Sequence, residues 1–200
     1  IQDYSDIRFP EGSGAMLMIE VDGPLAGLRE QLQAVSQAAQ VKGVLDIRVA
    51  ETEQERKALW ESRKALSPAQ RAIAPKKINE DVVVPVSRLP ELIEGLETLG
   101  QKYAIRIVNF GHAGNGNIHV NLLIDPDDPG QAEAAEQCLD EVFDLVLSLR
   151  GTLSGEHGIG LVKREFVSRE LDETALALMK GIKQQFDPDQ ILNPGKLYVE

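Results

Sequence analysis

The chain has 200 residues, a formal net charge of −11 and 42% hydrophobic residues. That length and apolar content suit one globular domain, or one with a small appendage. The acidic balance argues against binding a phosphate backbone, and no apolar run approaches the roughly 18–20 residues of a membrane span.

In chain order, Gly14–Asp22 reads as a strand. Leu25, Leu28, Leu32, Val35 and Ala39 recur at helical steps, and Gly43 reads as the left-handed cap of that helix. Val44–Ala50 alternates as a second strand. Glu51 to about Leu66 is charged and rich in helix formers. Pro68 and Pro75 bracket a basic segment read as irregular. Val82–Val86 is a short β-branched strand, and Leu89, Leu92, Ile93, Leu96 and Leu99 mark a helix. Ile105–Ile124 holds two strands around a glycine-rich centre. A long amphipathic helix runs from Ala135 to Leu149; its Cys138, the only cysteine, reads as a buried structural thiol. A glycine-dense stretch, Gly151–Gly160, follows. Ala175, Leu178, Ile182 and Phe186 give a last helix before the tail NPGKLYVE. One strand pair is a tight hairpin, so the expected class is α+β. It has a mixed or largely antiparallel sheet with helices packed on one face, in a single domain over residues 1–200.

The three histidines, His112, His119 and His157, all fall in two glycine-rich stretches, FGHAGNGNIHVN and GTLSGEHGIG. Asn115-Gly116 is the preferred dipeptide of a two-residue hairpin turn. With those two residues as the turn, His112 lies directly opposite His119, with Cβ atoms about 4.5–5.5 Å apart. Two imidazoles at that spacing can converge on one metal ion. Asn121 shares their face by the period-two rule. A carboxylate completes a His-His-carboxylate set with open positions, common for zinc or iron. Neighbours in an extended segment point to opposite sides. The simplest division therefore makes Glu156 the third ligand and leaves His157 free as a base, a role suited to imidazole, whose unperturbed form titrates near neutrality. Against this stands the plainer reading, in which the histidines are ordinary strand residues and the glycines serve only as turns.

GHAGNGNIHVN resembles the G-H-x-G-[DN]-G-N-x-H-x-N signature of FAD-linked oxidases in the vanillyl-alcohol-oxidase superfamily. SGEHGIG followed by Lys163-Arg164, and the terminal NPGK, resemble further signatures in the same order. The group most similar contains the glycolate oxidase FAD subunit, D-lactate dehydrogenase and D-2-hydroxyglutarate dehydrogenase. The resemblance spans roughly Trp60 to Leu197. It implies a substrate-side, cap-type C-terminal domain of an FAD-dependent (R)-2-hydroxyacid dehydrogenase that makes a 2-keto acid. His112, His119 and Glu156 match metal ligands for zinc, iron or manganese, and His157 matches the base. Arg63 matches an arginine that grips the substrate carboxylate, Ser67 a hydroxyl one helical turn on, and Asn121 a residue lining the site. Asn193 and Lys196 match the segment that returns towards the flavin. The plainer readings are a solvated helix face for Arg63 and a helix stop for the NPGK turn.

The resemblance also implies an FAD-binding domain upstream of Ile1, so the 200 residues alone are expected to be inactive. Implied partners are the 2-hydroxyacid, that FAD domain and an electron acceptor (a subunit, quinone or carrier protein). Nucleic acid and a transmembrane segment are not expected. The implied location is cytoplasmic, or peripheral at the inner membrane face through partner subunits. Two departures stand out. Position 115 is Asn where many relatives have Asp. Asn79, with Lys76 and Lys77 nearby, stands where some relatives have a substrate-binding lysine. A metal-dependent hydrolase and a non-catalytic ligand-binding or dimerisation domain are the alternatives.

Overall fold

A computed structural model describes residues 8–197. They fall into two compact units divided between Ala69 and Gln70. In the first, helix α1 spans Leu25–Ala38 and α2 spans Glu53–Lys64. Thr52 caps α2 in a reciprocal capping box with Glu55, which satisfies two otherwise unpaired backbone donors. Helix α3, Leu66–Ile73, crosses the boundary.

Several sequence expectations change here. No strand forms at 14–22 or 44–50; alternation alone makes no strand without a ladder partner. Helix α1 ends at Ala38, and Gly43, with φ +100°, belongs to a separate turn. The segment after Pro68 is helical because Pro68 falls in the first turn of α3. There its missing N–H breaks no intrahelical bond.

The second unit holds a three-stranded antiparallel sheet in the order β1-β3-β2. Its strands are β1 (Lys76–Val83), β2 (Arg106–His112) and β3 (Asn117–Ile124). Strand β1 starts six residues before Val82 and ends at Val83. Pro85 precedes a 3-10 turn at Val86–Arg88 that leads into α4, Leu89–Tyr103. Helix α5 spans Pro129–Ser148 and is capped by the Asp128 carboxylate. A 3-10 turn (Arg164–Phe166), the short α6 (Val167–Glu170) and α7 (Glu173–Phe186) complete the unit.

The α+β expectation therefore holds, with the sheet fully antiparallel. Every residue of β3 is buried, so this central strand is covered on both faces. Ile118, Val120, Leu122 and Ile124 join Val82, Leu92, Leu96, Ala135, Cys138, Val142, Phe143 and Val146 in one core beneath α4 and α5. Burial pushes the Cys138 thiol up to about 11, so it stays protonated and inert. The alternate residues of β3 (Asn117, His119 and Asn121) form a polar row on the other face.

Candidate metal centre

The hairpin differs from the two-residue turn that Asn115-Gly116 suggests. Its loop has four residues, so His112 pairs with Asn117 and His119 pairs with Phe110. Asn115 N–H donates to His112 O, and the Asn115 side chain accepts from Asn117 N–H. Gly116 adopts φ +78°, and a Cβ there would lie 1.9 Å from Val84 O. These contacts stabilise the wider loop. The slip is two residues, an even number, so the imidazoles keep a common face. They meet diagonally, with ring centroids 5.8 Å apart.

The second motif reaches this face along the end of β1. Val83 and Thr152 exchange backbone hydrogen bonds of 3.1 and 2.8 Å. Glu170 takes the Thr152 hydroxyl at 2.6 Å and Leu153 N–H at 2.9 Å. The chain then bends, and the backbone N–H groups of Gly155, Glu156 and His157 all point at Asp81 Oδ2, at 2.7, 2.5 and 3.1 Å. Gly155 is required by close approach, since a Cβ there would sit 2.6 Å from Asn117 Oδ1. This curl is a nest of converging donors around an anion, not the extended segment expected from sequence.

One nitrogen from each of His112 and His119 and one Glu156 oxygen lie within 4.8 Å of one another. His119 Nε2 is 3.1 Å from Glu156 Oε1. His157 lies outside this ligand set: its ring stacks on His119 at 5.4 Å, and its Nδ1 faces Asp81 Oδ1 at 3.4 Å. Glu156 and His157 are thus carried by a curled loop instead of the extended strand expected from sequence, and both side chains meet His119. His119 is 8% exposed and tilts against Phe110 at 5.2 Å. Burial lowers its pKa, against the opposing pull of Glu156, so the ring is held in the neutral form that ligates metals. Its Nδ1 is buried without a hydrogen-bond partner, whereas Nε2 is the ring nitrogen that faces Glu156. Two imidazoles and a carboxylate fit a divalent transition metal.

Asn121 is fully buried. Its amide donates to Val108 O and His119 O, each at 3.1 Å, and accepts from Asn79 Nδ2 at 2.7 Å. Arg63 is exposed on α2, its guanidinium 5.7 Å from the Trp60 ring centroid. The Ser67 side chain lies outside the described residues. Asn193 is left-handed, with φ +48°, and Lys196 Nζ lies 3.4 Å from its side chain. Arg164 holds Gly195 O at 2.8 Å, and Leu197 N–H donates to Gly160 O at 2.9 Å. The NPGK turn is thereby tied to the segment that follows the GEHG loop.

Sequence reasoning passed over Asp81 and named Lys163 only within a motif, without a role. The Asp81 carboxylate is fully buried, and the Lys163 ammonium donates to its Oδ1 at 2.7 Å, to Asp81 O at 2.6 Å and to Leu153 O at 2.7 Å. Burial raises the Asp81 pKa, but Lys163 and the N–H groups of Glu156 and His157 outweigh it and hold the carboxyl well below the usual range. Glu80, 3.4 Å from the same ammonium, is shifted upwards because burial outweighs Lys163. The available signal was the charged pair Glu80-Asp81 leading directly into Val82-Val83-Val84.

Comparison with known proteins finds relatives across the chain. It is 34% identical over its full length to the glycolate oxidase subunit GlcD of Bacillus subtilis, of which it covers 43%. Identity is 34% over 92% of the chain to a D-lactate dehydrogenase of Anaerostipes hadrus, 39% of which is covered. It is also 34% over 78% of the chain to a D-2-hydroxyglutarate dehydrogenase of Stutzerimonas stutzeri, with 34% covered. The chain thus spans less than half the length of these relatives. The family model "FAD linked oxidases, C-terminal domain" matches residues 1–197, motifs and sheet included, and the chain belongs to that family.

Proposed function

We propose that this chain is the substrate- and metal-binding part of a longer, FAD-dependent (R)-2-hydroxyacid dehydrogenase of the glycolate or D-lactate type. The observation that carries the reading is the convergence of His112, His119 and Glu156 within 4.8 Å, with His157 stacked beside them. In this reading the three residues hold a divalent metal, with zinc the first choice. When bound, the metal supplies Lewis-acid charge at the substrate hydroxyl, and the flavin, held mainly outside these residues, supplies the hydride acceptor.

This chain's residues bind, orient and move one proton. Arg63 takes the substrate carboxylate by a charge-assisted hydrogen bond, and Ser67 is assigned to the same substrate. His157, with Nδ1 turned towards Asp81, accepts the hydroxyl proton at Nε2 as the α-hydrogen leaves. The paired amides of Asn79 and Asn121 form a polar floor in the same row as His119. Asn79 offers a substrate tail no charge, which favours a small monocarboxylate over a dicarboxylate. Asn193 and Lys196 are assigned to the flavin side. The acceptor of electrons is a partner subunit, a quinone or a carrier protein, and the setting is cytoplasmic. Among the described residues no helix is long and apolar enough to cross a membrane.

The test is anaerobic mixing of the full-length, metal-loaded enzyme with glycolate, D-lactate and D-2-hydroxyglutarate. Bleaching of the flavin is expected with the first two, faster than with the third. No bleaching with any of them contradicts the reading and favours a hydrolase use of the same ligands.

A further inference from the structure

The buried Asp81–Lys163 pair joins β1 to both ends of the GEHG loop. Lys163 uses its three ammonium hydrogens on Asp81 Oδ1, Asp81 O and Leu153 O, at 2.7, 2.6 and 2.7 Å, so it closes the loop onto the strand. Asp81 divides its two oxygens. Oδ2 gathers the three successive N–H groups of residues 155–157. Oδ1 takes Lys163, accepts from Ser154 Oγ at 3.3 Å and faces His157 Nδ1 at 3.4 Å. In the strand register Asp81 lies directly opposite His119. One carboxylate therefore stands behind a histidine of the metal set, the backbone that carries Glu156, and the ring of His157.

Stability alone is a weak reason for such an arrangement. Replacing a buried ion pair by apolar residues of similar volume is often neutral or stabilising. We infer that Asp81, with Lys163 as its counter-ion, is a positioning residue. It seats Glu156 so that its carboxylate meets His119, and it fixes the proton of His157 on Nδ1 so that Nε2 is the free nitrogen. The logic is that of a carboxylate orienting an imidazole base merged with that of an outer-shell group holding a metal ligand. The inference rests on the roles proposed above for Glu156 and His157.

The test uses the full-length enzyme and the double variant D81N/K163M. The amide that replaces the carboxylate still offers an oxygen to the loop N–H groups, and the thioether removes the ammonium together with the carboxylate it pairs; Glu80, which also faces that ammonium at 3.4 Å, already has its pKa raised by burial and can take up a proton when the ammonium is gone. The expected result is a folded, flavin-loaded protein whose zinc affinity, read by chelator competition, falls about 10–100-fold. Its kcat should fall about 10²-fold or more, since small misplacements of reacting groups cost that much, with KM little changed. A folded variant with wild-type zinc affinity overturns the seating of Glu156, and one with wild-type kcat overturns the orientation of His157. Nitrogen NMR of ¹⁵N-histidine-labelled wild-type enzyme at alkaline pH supplies a readout free of turnover and of the variant's folding. The His157 signal is expected to report a proton on Nδ1, and a proton on Nε2 overturns the orientation. If the wild type oxidises no 2-hydroxyacid, the earlier reading of function fails, while the zinc and NMR readouts still decide the role of Asp81.

Discussion

The two faces of the sheet are made by alternate residues of the same three strands, yet they are buried by different means. Under α4 and α5, Val82, Ile118, Val120 and Leu122 meet other apolar side chains, and what matters there is filled volume. On the opposite face Asp81, His119 and Asn121 are also buried, but a glycine-rich loop meets Asp81 and His119, the Asn79 amide meets Asn121, and nearly every polar atom has a named partner. A buried polar row costs free energy wherever a partner is missing. Among the described residues four buried side-chain atoms lack a partner: His119 Nδ1 and Asn117 Oδ1 in this row, and Asn109 Oδ1 and Gln70 Nε2 outside it.

This contrast predicts opposite responses to truncation. On the polar face, His119→Ala in the full-length enzyme should abolish zinc binding and reduce turnover to background, while denaturant stability changes little. Metal analysis of the purified protein, together with an unfolding curve, checks both halves. On the apolar face, Phe143 is fully buried and tilts against Phe166 at 4.6 Å. Phe143→Ala should cost about 3–5 kcal/mol of stability and leave the zinc affinity of the folded protein unchanged. A large loss of zinc affinity in that variant would show that the faces are coupled. Arg63→Ala should give a smaller effect still, a loss of about 1.5–3 kcal/mol in substrate binding, read as reduced kcat/KM with stability unaltered. An unchanged kcat/KM would return Arg63 to the role of a solvated helix residue.

How legible each region is from sequence follows from the same contrast. Apolar stripes at helical spacing revealed α1, α4, α5 and α7, because burying one face imposes a period. The hairpin was legible in Asn115-Gly116, but its register was not. The deciding contacts are Gly116 against Val84 O and the Asn115 side chain on Asn117 N–H, and neither has a period. Face survived the error because the slip was even. The polar half of β1, KKINED, was missed because its residues look exposed until Lys163, Asn121 and the GEHG loop cover them. The clustering of His112, His119 and Glu156 was legible because three histidines in two glycine-rich motifs already form an uneven distribution. Asp81 was not, since its role is set by backbone donors that lie more than seventy residues away in the chain.

The central claim is that the polar face separates a metal set, His112, His119 and Glu156, from a base, His157. The most direct test is zinc stoichiometry measured beside single-turnover flavin reduction in full-length His157→Ala. Wild-type zinc content is expected, with flavin reduction slowed about 10²–10⁴-fold, the usual contribution of a general base. Loss of the zinc from that variant would contradict it, because His157 would then belong to the metal set.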